Sequence, residues 1–409
     1  MPLTCSGVEK FVACRRYTPG GMLLDPHDIL LAITIGKSMS SNPEQKGLSA
    51  NLDLLRAIAV LLVLAQHFCT RNYVDKVLWM PTSSWGLFGV LLFFVHTCLV
   101  LMYSLERSGL KGRPLIANFA IRRIFRIYPL SVIAVLVALL LHLDSGINGI
   151  RGLSHGQLPG IVSIASNLLL VQNLTYVKSI VNVLWSLPFE LQMYAFLPFL
   201  FLWIHGRKAT WQLLCFWAIG VGLAIIQPRL PSLGRLSILA FSPCFLPGVI
   251  AYSLPYRQRF SSRLWPIFIV ILILAFAVRP QLSTGWFLCL ALGLMVPSFR
   301  EIQAPWLRLA SHKIATYSYG IYISHQFCIW LVFGPLARAS LVFRIPLLVA
   351  LLAGLPFFLY HAIERPMIRV GACLGDRVAE TLADSRPHSS DFAIEPPASS
   401  SGSQQKVSS

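Results

Sequence analysis

Arg56 and His67 lie in one apolar run, residues 52–68, whose other side chains are mostly Leu, Ile, Val and Ala. Ionisable groups in such a run are expensive to bury and call for a partner or a task. Eleven helical steps of about 100° close three turns plus roughly 20°, so both side chains fall on one face, about 16 Å apart along the axis. Arg56 then lies near one membrane interface and His67 lies deep. Asp53, three residues before Arg56, shares that face and is a candidate partner for it. An imidazole changes protonation near neutral pH, as a general base must, and a guanidinium binds anions or orients a partner. The bland alternative is a structural polar contact between helices.

Other polar constellations follow along the chain. Residues 122–129 read Arg-Arg-Ile-Phe-Arg-Ile-Tyr-Pro. Arg122 and Arg126 are four apart, share a helix face and could grip phosphates in bidentate fashion; a plain cationic anchor at the membrane surface explains them as well by composition. Residues 185–194 place Glu190 just inside an apolar stretch, with Tyr194 on its face, as an acid–base partner or half of a buried ion pair. In residues 317–325, Ser318, Tyr322 and His325 share a face; interfacial aromatics account for the tyrosines, but not for His325 at membrane depth. Glu364-Arg365-Pro366 closes the last apolar stretch, where a helix-end charge pair suffices. No nucleotide-binding glycine loop, serine-hydrolase elbow or zinc spacing occurs, so no metal and no permanently bound cofactor is expected.

The elements that position these groups are membrane helices. Of 409 residues 56% are hydrophobic and 12% charged, about half the charge of a soluble domain. Basic residues punctuate the apolar runs instead of forming one patch, so the net charge of +18 does not point to nucleic acid. The nine cysteines are scattered and read as free thiols. The pattern predicts an all-α polytopic membrane protein with about ten transmembrane helices, near 52–70, 85–104, 127–143, 184–204, 210–227, 238–254, 264–279, 283–299, 316–337 and 345–363. Residues 161–176 are apolar but carry Asn167, Gln172 and Asn173, which favours a re-entrant or interfacial segment over another span. Basic clusters at every second loop predict cytoplasmic N and C termini, with Arg56 near the cytoplasmic face. Three regions are expected: an N-terminal cytoplasmic segment, 1–50; a membrane domain, 51–370; and a disordered Ser- and Pro-rich tail, 378–409.

Taken in order, these elements resemble the acyltransferase-3 family of integral membrane O-acyltransferases. The resemblance rests on residues 52–67, which follow its L-D-G-L-R-A-I-A-V opening and later His, and on 122–129, 185–194, 318–325 and 364–366. It implies transfer of an acyl group, usually acetyl, from acyl-CoA to a hydroxyl of a cell-surface or exported carbohydrate or glycolipid, at the cell membrane (the inner membrane, for a Gram-negative source). His67, Arg56 and Glu190 then carry catalysis, with His67 as base or acyl carrier. Arg122 and Arg126 hold acyl-CoA, the co-substrate, while Asp53, Tyr194 and His325 contact substrate. The chain departs from the family pattern at Leu54, at Leu191, and in the second span. There Phe-Phe-Val-Leu-Ser-Gly-Phe becomes Phe93-Phe94-Val95-His96-Thr97-Cys98-Leu99, which puts a close helix contact in question. His96 is expected to be a spectator with a local hydrogen-bond partner, the alternative being that it takes over some role of the lost Ser-Gly pair at the acceptor path. The competing classes are a proton-coupled transporter or glycan flippase, and a non-enzymatic subunit of a polysaccharide assembly complex.

Overall fold

The computed structural model describes residues 49–146, 149–153, 158–229 and 237–384. The expectations for 1–48 and 385–409 lie outside the described residues. Helices occupy every predicted span: α1 (Ala50–Arg71), α2 (Thr82–Ser108), α3 (Gly112–Leu140), then, after two short helices, α4 (Ile161–Leu168) and α5 (Gln172–Thr175), α6 (Leu187–Ile204), α7 (Thr210–Ile226), α8 (Ile238–Ser253), α9 (Leu264–Val278), α10 (Leu282–Met295), α11 (Pro305–Phe333), α12 (Leu341–Leu359) and α13 (Arg365–Asp384). Among the described residues, six helices are long and apolar enough to cross a membrane, and α8, α9 and the α10 region are shorter apolar helices. Large apolar side chains such as Phe196, Phe199, Ile219, Phe287 and Val349 face outward, as a lipid-embedded surface requires. The protein is an all-α, multi-pass membrane protein.

Helix α2 is the axis of the bundle, with Leu91, Leu92, Phe94, Val95 and Leu99 almost wholly enclosed. It packs against α1 at Gly89, where a Cβ would stand 2.6 Å from the carbonyl oxygen of Ala59. The doubtful contact on α2 exists in another form. Gly248 of α8 lies against Val95 O, Cys98 and Leu99 N, so the small residue is supplied by the partner helix. Pro243 and Pro247 interrupt α8. Pro247 removes the N–H that Pro243 O would accept, and Trp217 Nε1 donates to that carbonyl instead at 2.9 Å. Pro243 likewise frees Leu239 O, which accepts from Ser242 Oγ at 3.0 Å.

The start of α1 is anchored from three directions. Ser49 caps it, accepting from Leu52 N–H. Glu301 accepts from Ser49 Oγ at 2.8 Å, Asn51 N at 3.1 Å and Tyr256 Oη at 2.7 Å. Trp265 Nε1 donates to Asn51 O at 3.0 Å. The carboxylate thus meets the positive end of the α1 dipole. Burial and the Glu301 acceptor push the Tyr256 phenol well above its ordinary range, so it stays a donor.

The segment 161–176 forms two short helices and no span. Its polar side chains tie loops together: Asn167 Oδ1 accepts from Ile180 N at 2.8 Å, and Gln172 Nε2 donates to Leu184 O at 3.0 Å. They brace the 3-10 turn Asn182–Ser186 that leads into α6. At the other end of the domain, α12 does not stop at Glu364. A π-helical turn, Tyr360–Glu364, joins it to α13. The tail expected to be disordered from 378 is helical to Asp384, and α13 packs on α3 through Gly371 against Phe125 and Gly375 against Asn118.

Candidate active site

Helices α1, α2, α3, α6 and α11 enclose a cavity of about 240 Å³ whose polar wall holds Arg56, Arg123, Arg126, Glu190 and Tyr194. Along α2 its lining residues step through Val90, Phe93, Thr97, Val100, Ser104 and Arg107. That is one helix face over seventeen residues, about 25 Å of axis. The cavity is therefore a deep slot running from the Arg107 end into the bundle. An adjoining chamber of about 420 Å³ shares Arg56, His96, Val100 and Arg107 with it and is closed by Asp53, Tyr103 and Glu301. A third, of about 550 Å³, shares Arg107 and Arg123 and is walled by Arg122, Asp376 and Glu380.

The charges in the slot are arranged by helix spacing. Glu190 and Tyr194 are one turn apart on α6, and Tyr194 Oη donates to Glu190 Oε2 at 2.9 Å. Arg123 and Arg126 are three apart on α3, and Arg123 lies 5.7 Å from the Phe119 ring centre. Arg126 Nη2 is 3.7 Å from Glu364 Oε1, a carboxylate 1% exposed that the π turn delivers from behind. The Arg56 guanidinium lies 5.7 Å from the Phe93 ring centre, and its Nε, like that of Arg123, has no protein partner. Besides Arg107 at the mouth, three guanidinium groups are answered by two carboxylates, an imbalance in a buried space that an anionic occupant would relieve.

His67 and His325 meet as expected of groups at membrane depth, but not in this slot. His67 Nδ1 is 2.9 Å from Val63 O and 3.4 Å from His325 Nε2; His325 Nδ1 is 2.9 Å from Ile321 O. Carbonyl oxygens only accept, so each Nδ1 carries the proton and donates. His325 Nε2 is then the longer, weaker acceptor of the same His67 Nδ1–H that Val63 O takes, and the lone pair of His67 Nε2 is left for chemistry. Tyr322 stands between this pair and the slot. Its ring centre is 6.2 Å from that of His325, it lines the slot, and its Oη lies 2.7 Å from Val183 O and 2.8 Å from Ser186 Oγ.

Arg56, Arg126, Glu190 and Tyr194 therefore share the slot, and His67 and His325 form a separate dyad beyond Tyr322. Two expectations need correction. Asp53 does not pair with Arg56; its Oδ2 meets His312 Nδ1 at 2.9 Å, because α11 reaches alongside the first turn of α1. Arg122 does not join Arg126 in the slot; it binds Asp376 on α13 at 2.7 Å, and Asp376 also accepts from Asn118 Nδ2 at 2.9 Å. The arginine that joins Arg126 is Arg123, which spacing alone could not prefer, since three and four residues are both near one turn. His96 is not a satisfied spectator: it lines both the slot and the adjoining chamber, and its buried Nδ1 has no hydrogen-bond partner. Tyr319, which lines the slot and donates to Ile127 O at 2.6 Å, and Glu364 were visible only as an aromatic belt and a helix-end charge. No group of three or more His, Cys, Asp or Glu with metal-binding geometry occurs among the described residues.

No curated protein and no solved structure matches the chain. The sequence profile of one family, described as an acyltransferase domain, matches residues 49–362, which takes in every residue that lines the slot and the histidine dyad. The chain belongs to the acyltransferase-3 family.

Proposed function

We propose that this protein is an O-acyltransferase of ten membrane spans with both termini in the cytoplasm. It moves an acyl group, acetyl first among the candidates, from acyl-CoA to a hydroxyl of a carbohydrate or glycolipid acceptor at the outer side of the cell membrane. The observation that carries this reading is the buried cationic slot. Arg56, Arg123 and Arg126 outnumber the carboxylates beside them, and Tyr322, which lines the slot, stands against His325 of the histidine dyad. Phosphates suit guanidinium forks, and the slot's apolar walls suit an uncharged arm.

The chain's own groups then act in sequence. The acceptor O–H gives its proton to His67 Nε2 as its oxygen attacks the thioester carbonyl carbon. His325 Nε2, accepting from His67 Nδ1–H, holds the ring in position and stabilises the imidazolium. The carbon–sulfur bond breaks, the acyl ester leaves on the acceptor, and the coenzyme A thiolate takes up the proton from His67 Nε2, which regenerates the base. The acyl end must pass Phe93 and Tyr322 to reach the dyad. Glu190, held by Tyr194, is placed to fix the Arg56 and Arg123 side of the slot.

The test is twofold. Purified protein in lipid nanodiscs is titrated with acetyl-CoA and assayed for thiol release. Surface glycans of cells with and without the protein are compared by mass spectrometry. Saturable binding and an acyl mass lost from one glycan support the reading. Absence of binding together with unchanged glycans rejects it.

A further inference from the structure

Two slot residues depart from the pattern that the second span resembles, Thr97 conservatively for serine and His96 for leucine; His96 is the one that brings in an imidazole. It is 4% exposed, lines the slot and the adjoining chamber at once, and holds a buried Nδ1 with no partner. A buried polar nitrogen without a hydrogen bond costs stability, a cost that an apolar side chain in its place would not carry. No neighbour satisfies it in this structure: the Phe93 ring lies 6.2 Å away, edge-on, and the nearby Arg56 and Arg126 guanidinium groups, whose N–H groups its lone pair could accept, make no hydrogen bond to it. His96 is three turns from Arg107 along α2, about 16 Å. Phosphates held at the Arg107 and Arg123 mouth would therefore place an extended, uncharged arm against His96. The arm of acyl-CoA carries two amides. An imidazole offers one N–H and one lone pair, the complement of an amide C=O or N–H; leucine offers neither.

We infer that His96 is a positioning residue whose ring nitrogen accepts a hydrogen bond from an amide N–H of the pantetheine arm of the acyl donor, and so sets how deep the thioester reaches toward Tyr322. The inference rests on the acyl-CoA reading of the slot. It makes His96 a contact to acyl-CoA additional to the arginines.

The experiment is a double-mutant cycle between protein and donor, in nanodiscs. Wild type, His96→Leu and His96→Asn are titrated with acetyl-CoA and with two analogues, each having one pantetheine amide replaced by an ester. Loss of one uncharged hydrogen bond in a buried site weakens binding about tenfold. His96→Leu is expected to weaken acetyl-CoA binding by that factor and to raise KM with kcat nearly unchanged. One ester analogue should show the same loss with wild type and no further loss with His96→Leu. His96→Asn, which keeps a donor and an acceptor, should recover part of the affinity, and a melting temperature at or above that of wild type for His96→Leu separates the effect from misfolding. Equal affinity of wild type and His96→Leu for acetyl-CoA overturns the inference, as do analogue and variant losses that simply add. Failure of wild type itself to bind acetyl-CoA overturns the acyl-CoA reading, and this inference with it.

Discussion

Glu364→Gln should make the protein less stable yet bind acyl-CoA more tightly. The Glu364 carboxylate is 3.7 Å from Arg126 Nη2, and its side chain is fully buried whereas that of Arg126 is 28% exposed. Unit charges at this distance attract by about 4 kcal/mol at an effective dielectric near 20. Removing one partner of a buried pair costs about 3–5 kcal/mol. The separation exceeds direct hydrogen-bonding distance and Arg126 is partly solvated, so the loss should be about 2–3 kcal/mol. Glutamine keeps the shape, so little of this is packing. The same change leaves Arg126 without its internal counter-charge and raises the positive charge facing the slot. A phosphate-bearing donor then gains what the carboxylate supplied, and its affinity should rise about three- to tenfold. Thermal unfolding in nanodiscs, with and without acetyl-CoA, reads both effects. The ligand-free midpoint should fall, and the shift produced by saturating donor should exceed that of wild type. A variant that loses stability and also binds acetyl-CoA more weakly would refute the assignment of Arg126 to an anionic ligand.

His67→Ala should abolish transfer while the protein still inserts and binds donor, and His325→Ala should lower kcat about 10²-fold or more with KM little changed, as a positioning partner of a base would; steady-state kinetics on both variants checks this. Arg122→Ala should leave KM for acetyl-CoA within about twofold of wild type because its partner is Asp376, whereas Arg123→Ala and Arg126→Ala should raise KM at least tenfold. Gly89→Ala should lower stability by about 1–3 kcal/mol, since its Cβ would press on the Ala59 carbonyl, and the melting temperature reads it.

Hydropathy alone located the helices of this chain, because spans of Leu, Ile, Val and Phe have no competing explanation. It misplaced several ends. Helices α3 and α11 begin at Gly112 and Pro305 rather than near 127 and 316, since their first turns carry charged groups, Arg113, Arg122 and Arg123 in one and Arg308, His312 and Lys313 in the other, and project beyond the apolar stretch. Helix α13 was invisible to hydropathy because it is amphipathic and charged, and what fixes it, Gly371 on Phe125 and Gly375 on Asn118, is a tertiary match. Within the site, contacts made inside one helix were readable: Glu190 with Tyr194 is a one-turn spacing. Contacts between helices were not. Asp53 and Arg56 share a face, yet nothing in α1 announces that His312 arrives from α11 to take the carboxylate. The same holds for Cys98 and Gly248, where a motif lost on one helix is compensated on another.

The π turn at Tyr360–Glu364 sets the phase of everything after it. A turn that spends one residue more than an α-helix rotates the following helix by about 100° about its axis. Through that rotation one stretch of chain presents Glu364 to Arg126 and, three turns later, Asp376 to Arg122 and Asn118. Deleting a single residue from 360–363 would restore regular α-helix and turn both carboxylates off their partners at once. Helix α13 would then show the bundle a different edge, with Gly371 and Gly375 no longer facing Phe125 and Asn118. The spacing between these elements is thus held by count as much as by composition: substitutions in the turn are tolerable where they keep five residues in it, and insertions or deletions are not.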